Sequence, residues 1–179
     1  MKILVVYDSY FGNTRQVAQV ISEALSPYGS VRMCQVCDET SKKLDKVELL
    51  IVGSPTRAFR ATKAINAFLD KIPIGGLKGV KTLAFDTRLS AVETDSGLLN
   101  ALSAVFGCAA APIAEKLKRK GGELLAPPEG FFVKESEGPL KSEELERAVN
   151  WVQKAVGSFY SSTVIHGADE TTGSAPLAH

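Results

Sequence analysis

The feature that most constrains this chain is its opening pattern, an almost unbroken apolar run followed by a polar loop and an amphipathic helix. Lys2-Ile3-Leu4-Val5-Val6-Tyr7 lacks the in–out alternation of a strand with one wet face. Such a run belongs to a strand covered on both sides. From Thr14 the period changes: Val17, Val20, Ile21, Ala24 and Leu25 form one helical stripe, which Pro27 and Gly29 bring to an end. A strand buried on both faces needs helices above and below it, so the pattern points to an α/β layer fold.

The alternation then repeats. Val31 to Val36 reads as a second strand, and a polar link from Asp38 to Lys46 leads to a third at Glu48 to Gly53. The loop Ser54 to Ala61 precedes a helix carrying Ile65, Phe68, Leu69 and Ile72, stopped by Pro73 and Gly75-Gly76. Lys81 to Phe85 is the fourth strand, followed by a polar loop from Asp86 to Gly97. Leu98 to Lys120 is helical with an interruption at Pro112. Glu123 to Ala126 is a short fifth strand that Phe131-Phe132-Val133 extends or pairs with. The last helix runs from about Ser142 to Tyr160, with Leu145, Ala148, Val149, Val152 and Val156 facing inward. Five strands joined by helical crossovers make a doubly wound parallel sheet the economical solution. The expected organisation is one domain over residues 1–160 and a polar C-terminal tail over 161–179, where periodicity is lost.

Bulk properties narrow the function classes. A chain of 179 residues with 45% hydrophobic and 23% charged residues is an ordinary globular composition. No apolar run approaches the roughly 20 residues that span a bilayer. The start turns acidic too early for a signal peptide, so a cytoplasmic location is the default expectation. A formal net charge of +1 gives no global field towards nucleic acid or membrane. The dense basic run Lys116 to Lys120 falls at a helix end, where cations complement the macrodipole. Cys34 and Cys37 make a C-x-x-C, but the segment reads as a strand. Strand residues three apart lie about 10 Å from each other, beyond the roughly 7 Å limit for a disulfide. Cys108 reads as a small core residue.

In an open parallel sheet, ligands bind beyond the carboxyl ends of the strands. Three loops meet there, and the first is the most informative. Ser9-Tyr10-Phe11-Gly12-Asn13-Thr14 offers hydroxyls and an amide, and Gly12 lets the backbone curl several N–H groups towards one point. The start of the helix adds partial positive charge, so the loop suits a monophosphate without needing a lysine. It also suits a plain β-to-α turn capped by Thr14. A dinucleotide fingerprint needs G-x-G-x-x-G and a P-loop needs G-x-x-x-x-G-K-[ST]; neither is present. A receiver domain needs clustered acids near the first strand, and Asp8 stands alone.

These residues resemble the flavodoxin family. Tyr7 to Thr14 is similar to the signature [ST]-x-[TSYF]-G-N-T that follows the first strand in flavodoxins. Gly53-Ser54-Pro55-Thr56-Arg57-Ala58-Phe59 resembles the second flavin loop. It is nearest to the form found in NAD(P)H:quinone reductases of the tryptophan-repressor-binding-protein type. The resemblance implies the flavodoxin strand order 2-1-3-4-5 and FMN as cofactor. It implies that Ser9, Tyr10, Phe11, Gly12, Asn13 and Thr14 wrap the phosphate. Pro55, Thr56, Arg57, Ala58 and Phe59 would line the isoalloxazine. Asp86, Thr87 and Arg88 occupy the position of the third flavin loop, which in flavodoxins often carries glycines and a stacking tyrosine, both lacking here.

The departures bear on chemistry. The ring loops present Arg57, Arg60 and Arg88, with Phe59 the only aromatic. A cation near a flavin's N1 edge stabilises the reduced, anionic ring and raises its potential. No side chain reads as an acid–base catalyst or metal ligand, because both histidines, His166 and His179, lie beyond the domain. The expected function is electron transfer or redox metabolism by bound FMN, with a redox protein or NAD(P)H and quinone as partner. Direct NAD(P)H:quinone oxidoreduction and a flavin-free binding or regulatory module are the alternatives.

Overall fold

A computed structural model describes residues 1–89 and 108–167, with side chains through residue 159. Among these residues, six strands and four α-helices follow one another as β1 (Lys2–Tyr7), α1 (Asn13–Leu25), β2 (Ser30–Gln35), β3 (Leu49–Pro55), α2 (Lys63–Lys71), β4 (Lys81–Leu89), α3 (Ala110–Arg119), β5 (Glu123–Leu124), β6 (Glu129–Val133) and α4 (Glu144–Gly167). The strands form one parallel sheet in the order β2-β1-β3-β4-β5, with β6 also paired to β4. This is the order expected from the sequence.

The apolar run of β1 explains the two layers. Ile3, Val5 and Tyr7 enter one core with Val17, Ile21 and Leu25 of α1 and Ala148, Val152 and Val156 of α4. Leu4 and Val6 enter the other with Ile65, Phe68 and Leu69 of α2 and Ile113 and Leu117 of α3. Alternate side chains thus serve opposite cores, and no position is left to be polar. The helix order follows from right-handed crossovers, which carry successive helices to one face and then the other.

Three boundaries differ from expectation. The fifth position in the sheet is split between two strands. β5 pairs with Lys81 and Thr82, while β6 pairs with Phe85 to Leu89 further along the same edge of β4. Pro127 and Pro128 lie between them and have no N–H for the ladder, which breaks the strand there. β4 itself continues to Leu89 rather than stopping at Phe85, because Ser54 and Pro55 pair with Asp86 and Thr87 on one side and β6 on the other. The helix α4 continues to Gly167, past the expected end at Tyr160. No proline or glycine intervenes between Ser158 and Gly167 to stop it. Pro112 sits in the first turn of α3, where a missing N–H costs nothing. The expected helical stretch from Leu98 to Gly107 lies outside the described residues.

Among the described residues, no helix is long and apolar enough to cross a membrane.

Candidate functional site

The carboxyl ends of β1, β3 and β4 carry the three loops or strand ends named above. After β1, Asp8 Oδ1 accepts from the Ser9 amide at 2.9 Å and from Gln35 Nε2 at 3.2 Å, which fixes the loop's base. Ser9 Oγ accepts from the amides of Gly12 at 3.1 Å and Arg15 at 3.4 Å, so the loop closes around this hydroxyl. Gly12 has φ 88°, a left-handed conformation that disfavours a side chain, and immediately precedes α1. Among the described residues, nothing accepts from the amides of Tyr10, Phe11, Asn13 or Thr14. These unpartnered donors coincide with the positive end of α1.

The second loop is a tight hairpin. Arg57 and Arg60 exchange backbone hydrogen bonds of 2.9 and 3.0 Å across Ala58 and Phe59, which both have positive φ, 45° and 64°. This is the two-residue turn whose twist matches flanking strands and normally selects Asn-Gly. It brings the second loop against the first: the Arg57 guanidinium carbon lies 5.6 Å from the ring centroids of both Tyr10 and Phe11. Tyr10 (59% exposed), Phe11 (46%), Phe59 (50%) and Leu89 (50%) leave unusually much apolar surface in water around this end of the sheet.

The residues expected to form a third loop divide between two tasks. Thr87 joins the first loop, its Oγ1 lying 2.7 Å from Thr14 Oγ1 with both residues buried. Asp86 points to the opposite layer, fully buried, and its Oδ2 accepts from the Ala110 amide at 2.8 Å. Thr56 Oγ1 accepts from the neighbouring Ala109 amide at 3.0 Å. Helix α3 begins at alanines, which cannot cap it, and Asp86 of β4 with Thr56 just beyond β3 supplies the missing acceptors. Asp86 Oδ1 has no hydrogen bond and lies 3.5 Å from Arg88 Nε. Burial pushes the Asp86 carboxyl above its ordinary pKa, and Arg88, the Ala110 amide and Thr56 only partly offset it. Arg88 also stacks on Phe132, 5.7 Å from the ring centroid, so its charge is turned towards β6.

One contact has no counterpart in the sequence reading. Asn13 Nδ2 donates to the backbone carbonyl of Glu137 at 2.9 Å, across 124 positions of sequence. The Gly138-Pro139 pair signals a turn there, but nothing in the sequence names its partner.

Residues 4–125 match the flavodoxin domain family. The chain belongs to the flavodoxin family. Its structure is similar to a flavodoxin from the domain Archaea, at 22% identity and a TM-score of 0.68 over 88% of this chain and 98% of that one. Flavodoxin 2 from Bacillus cereus gives the same identity and TM-score over 88% and 99%. A WrbA-like flavodoxin from Agrobacterium tumefaciens gives 15% and 0.64 over 88% and 96%. At these identities the likeness is one of fold. No curated protein sequence matches the chain.

FMN is the cofactor of this family, and the site fits it on two counts. Unpartnered amides at a helix start, gathered by Ser9 and Gly12, suit a phosphate. The exposed aromatic rim beside them suits a flat ring that would cover it. The C-x-x-C plays no part in this arrangement. Cys34 on β2 and Cys37 beyond it are both free thiols. Cys37 borders a separate cavity of about 270 Å³ between the end of β2 and α2.

Proposed function

We propose that this flavodoxin-family protein holds FMN at the Ser9 to Thr14 loop and exchanges its electrons with a redox partner protein. The amides of Tyr10, Phe11, Asn13 and Thr14 and the hydroxyl of Ser9 would hold the phosphate. Pro55 to Phe59 would line the ring, with the Phe59 side chain at the tip of the hairpin. FMN supplies the redox chemistry when bound. The protein supplies position, electrostatics and access. Thr56, Asp86 and Thr87 act behind the ring in this reading, because their polar atoms are committed to α3 and to Thr14.

The observation that carries the electron-transfer reading is the exposed rim of Tyr10, Phe11, Phe59 and Leu89. A flavin seated against part of this surface would leave the rest of the apolar rim beside the ring edge, which suits transient contact with another protein. A second reading, direct NAD(P)H:quinone oxidoreduction, is favoured by Arg57, a cation that rests on the rim and has no carboxylate partner among the described residues. Stopped-flow mixing of the FMN-loaded protein with NADH and NADPH separates the two. An electron carrier is reduced rapidly only when a flavoprotein reductase is added. Rapid reduction by the nicotinamide alone, followed by reoxidation with a short-chain quinone, would establish the second reading instead. A protein that remains colourless with excess FMN would overturn both.

A further inference from the structure

The segment after β6 folds back on itself in a narrow turn. Lys134 donates to the Pro139 carbonyl at 2.8 Å, Gly138 to the Glu135 carbonyl at 3.0 Å, and Lys141 to the Phe132 carbonyl at 2.9 Å. The base of this turn is tied to the first turn of α4, where Glu144 Oε2 accepts from the Phe132 amide at 2.8 Å and also pairs with Arg147. Its tip rests on Asn13, the first residue of α1. The Glu137 carbonyl accepts from Asn13 Nδ2, and the Gly138 Cα packs against the same carboxamide. A Cβ at position 138 would lie 2.5 Å from Asn13 Oδ1 and 2.6 Å from Nδ2, so the carboxamide would have to move to admit it. Gly138 also has φ 110°, in the region that favours glycine.

Two independent features therefore converge on one carboxamide: a hydrogen bond that orients it and a glycine that lets the backbone approach it. Asn13 is only 8% exposed, so water competes weakly for the place of the Glu137 carbonyl. Nδ2 carries two hydrogens, and the strap takes one of them. The other, like the backbone amide of the same residue, has no acceptor among the described residues.

We propose that the Glu135 to Pro139 turn is a strap that positions Asn13 for the phosphate and so sets the preference for FMN over riboflavin. This rests on the FMN reading above. Glu137, through its carbonyl, and Gly138, through its missing side chain, are positioning residues. The strap makes the phosphate site a joint product of the first loop and the last connection of the chain. It also explains why α4 is anchored to β6 by a buried carboxylate: movement at that anchor would be transmitted to Asn13.

The test compares FMN with riboflavin, which presents the same ring without the phosphate. Dissociation constants for both are measured by quenching of flavin fluorescence on the full chain and on Gly138→Ala. Losing one oriented hydrogen bond predicts FMN binding weakened by about three- to tenfold, with riboflavin affinity changed by less than about twofold. A purely structural role would lower thermal stability and weaken both ligands alike, and that result, or no change in either, would overturn the strap. If the variant fails to fold, amide exchange on the unaltered protein decides. FMN should slow exchange of the Gly138 amide by severalfold more than saturating riboflavin does, and equal protection would overturn the proposal. Failure of the unaltered protein to bind FMN would instead overturn the cofactor reading itself.

Discussion

Thr14 and Thr87 share a buried hydroxyl–hydroxyl hydrogen bond of 2.7 Å that ties the start of α1 to the end of β4. Among the described residues it is the one side-chain hydrogen bond between the first loop and the strand expected to supply the third. Each hydroxyl solves the other's burial, so the two should be energetically coupled. Thr14→Val or Thr87→Val alone leaves a buried hydroxyl unsatisfied, at a cost of about 1–3 kcal/mol. The double variant removes both groups and should cost less than the sum of the two. Urea denaturation of the four proteins measures this directly. Additive losses would mean that the pair is not a unit.

Ser9 is the residue around which the first loop closes. Its Oγ accepts from the Gly12 and Arg15 amides, which leaves its own hydrogen to donate. Ser9→Ala therefore removes a donor to a dianion and loosens the amides beside it. FMN affinity should fall by about 1.5–3 kcal/mol, the range for hydrogen bonds to charged groups. Titration of the flavin-free protein with FMN reads this out. Unchanged affinity would place the phosphate elsewhere.

The parts of this molecule that were legible in the sequence are those where burial leaves a periodic imprint. The run Lys2 to Tyr7 reads as a strand with two covered faces because every position from Ile3 to Tyr7 is occupied by one core or the other. The first loop was legible because its residue types are set by local needs: a curl at Gly12 and donors at a helix start. In the sequence Asp86 reads as loop because Asp-Thr-Arg carries no alternation, and its role as a cap depends on Ala110, 24 positions away. The strap on Asn13 was not legible at all. Its acceptor is a backbone carbonyl, which any residue at position 137 would provide. The C-terminal end of α4 is illegible for a related reason: polar residues near 161 weaken the stripe without supplying a stop.

The hairpin of the second loop holds a conformation its sequence does not favour. Ala58 and Phe59 both adopt positive φ in a turn that selects glycine or asparagine. A left-handed residue with a side chain costs about 1–2 kcal/mol, and glycine returns roughly 0.5–1 kcal/mol of that through its greater freedom in the unfolded chain. Ala58→Gly should therefore stabilise the protein by about 0.5–1 kcal/mol, visible as a higher urea midpoint. A decrease would show that Ala58 makes contacts outweighing its strain. Strain of this kind gathers where function needs a fixed geometry, and the Arg57 and Phe59 positions depend on this turn.

Asp86 makes the stability of the fold depend on pH in the direction opposite to that of a paired surface carboxylate. Burial raises its pKa above the ordinary 3.8, and the partial compensation comes from Arg88 and from the amides at the start of α3. Below 3.8 both folded and unfolded chains carry the proton, and burial of the neutral acid costs little. As pH rises through the window between 3.8 and the raised value, the unfolded chain gives up its proton first. Asp86's contribution to stability is therefore lost across that window and remains absent above it. Asp86→Asn keeps an oxygen for the Ala110 amide but cannot ionise. Its melting temperature should exceed that of the unaltered protein at pH 7, and the difference should close as pH falls below 3.8. Asp86→Ala removes the cap as well and should destabilise at every pH, by at least the roughly 1 kcal/mol typical of a lost N-terminal cap. If Asp86→Asn melts lower at pH 7, the attraction to Arg88 outweighs the cost of burying the charge, and Asp86 and Arg88 act as an ion pair within β4.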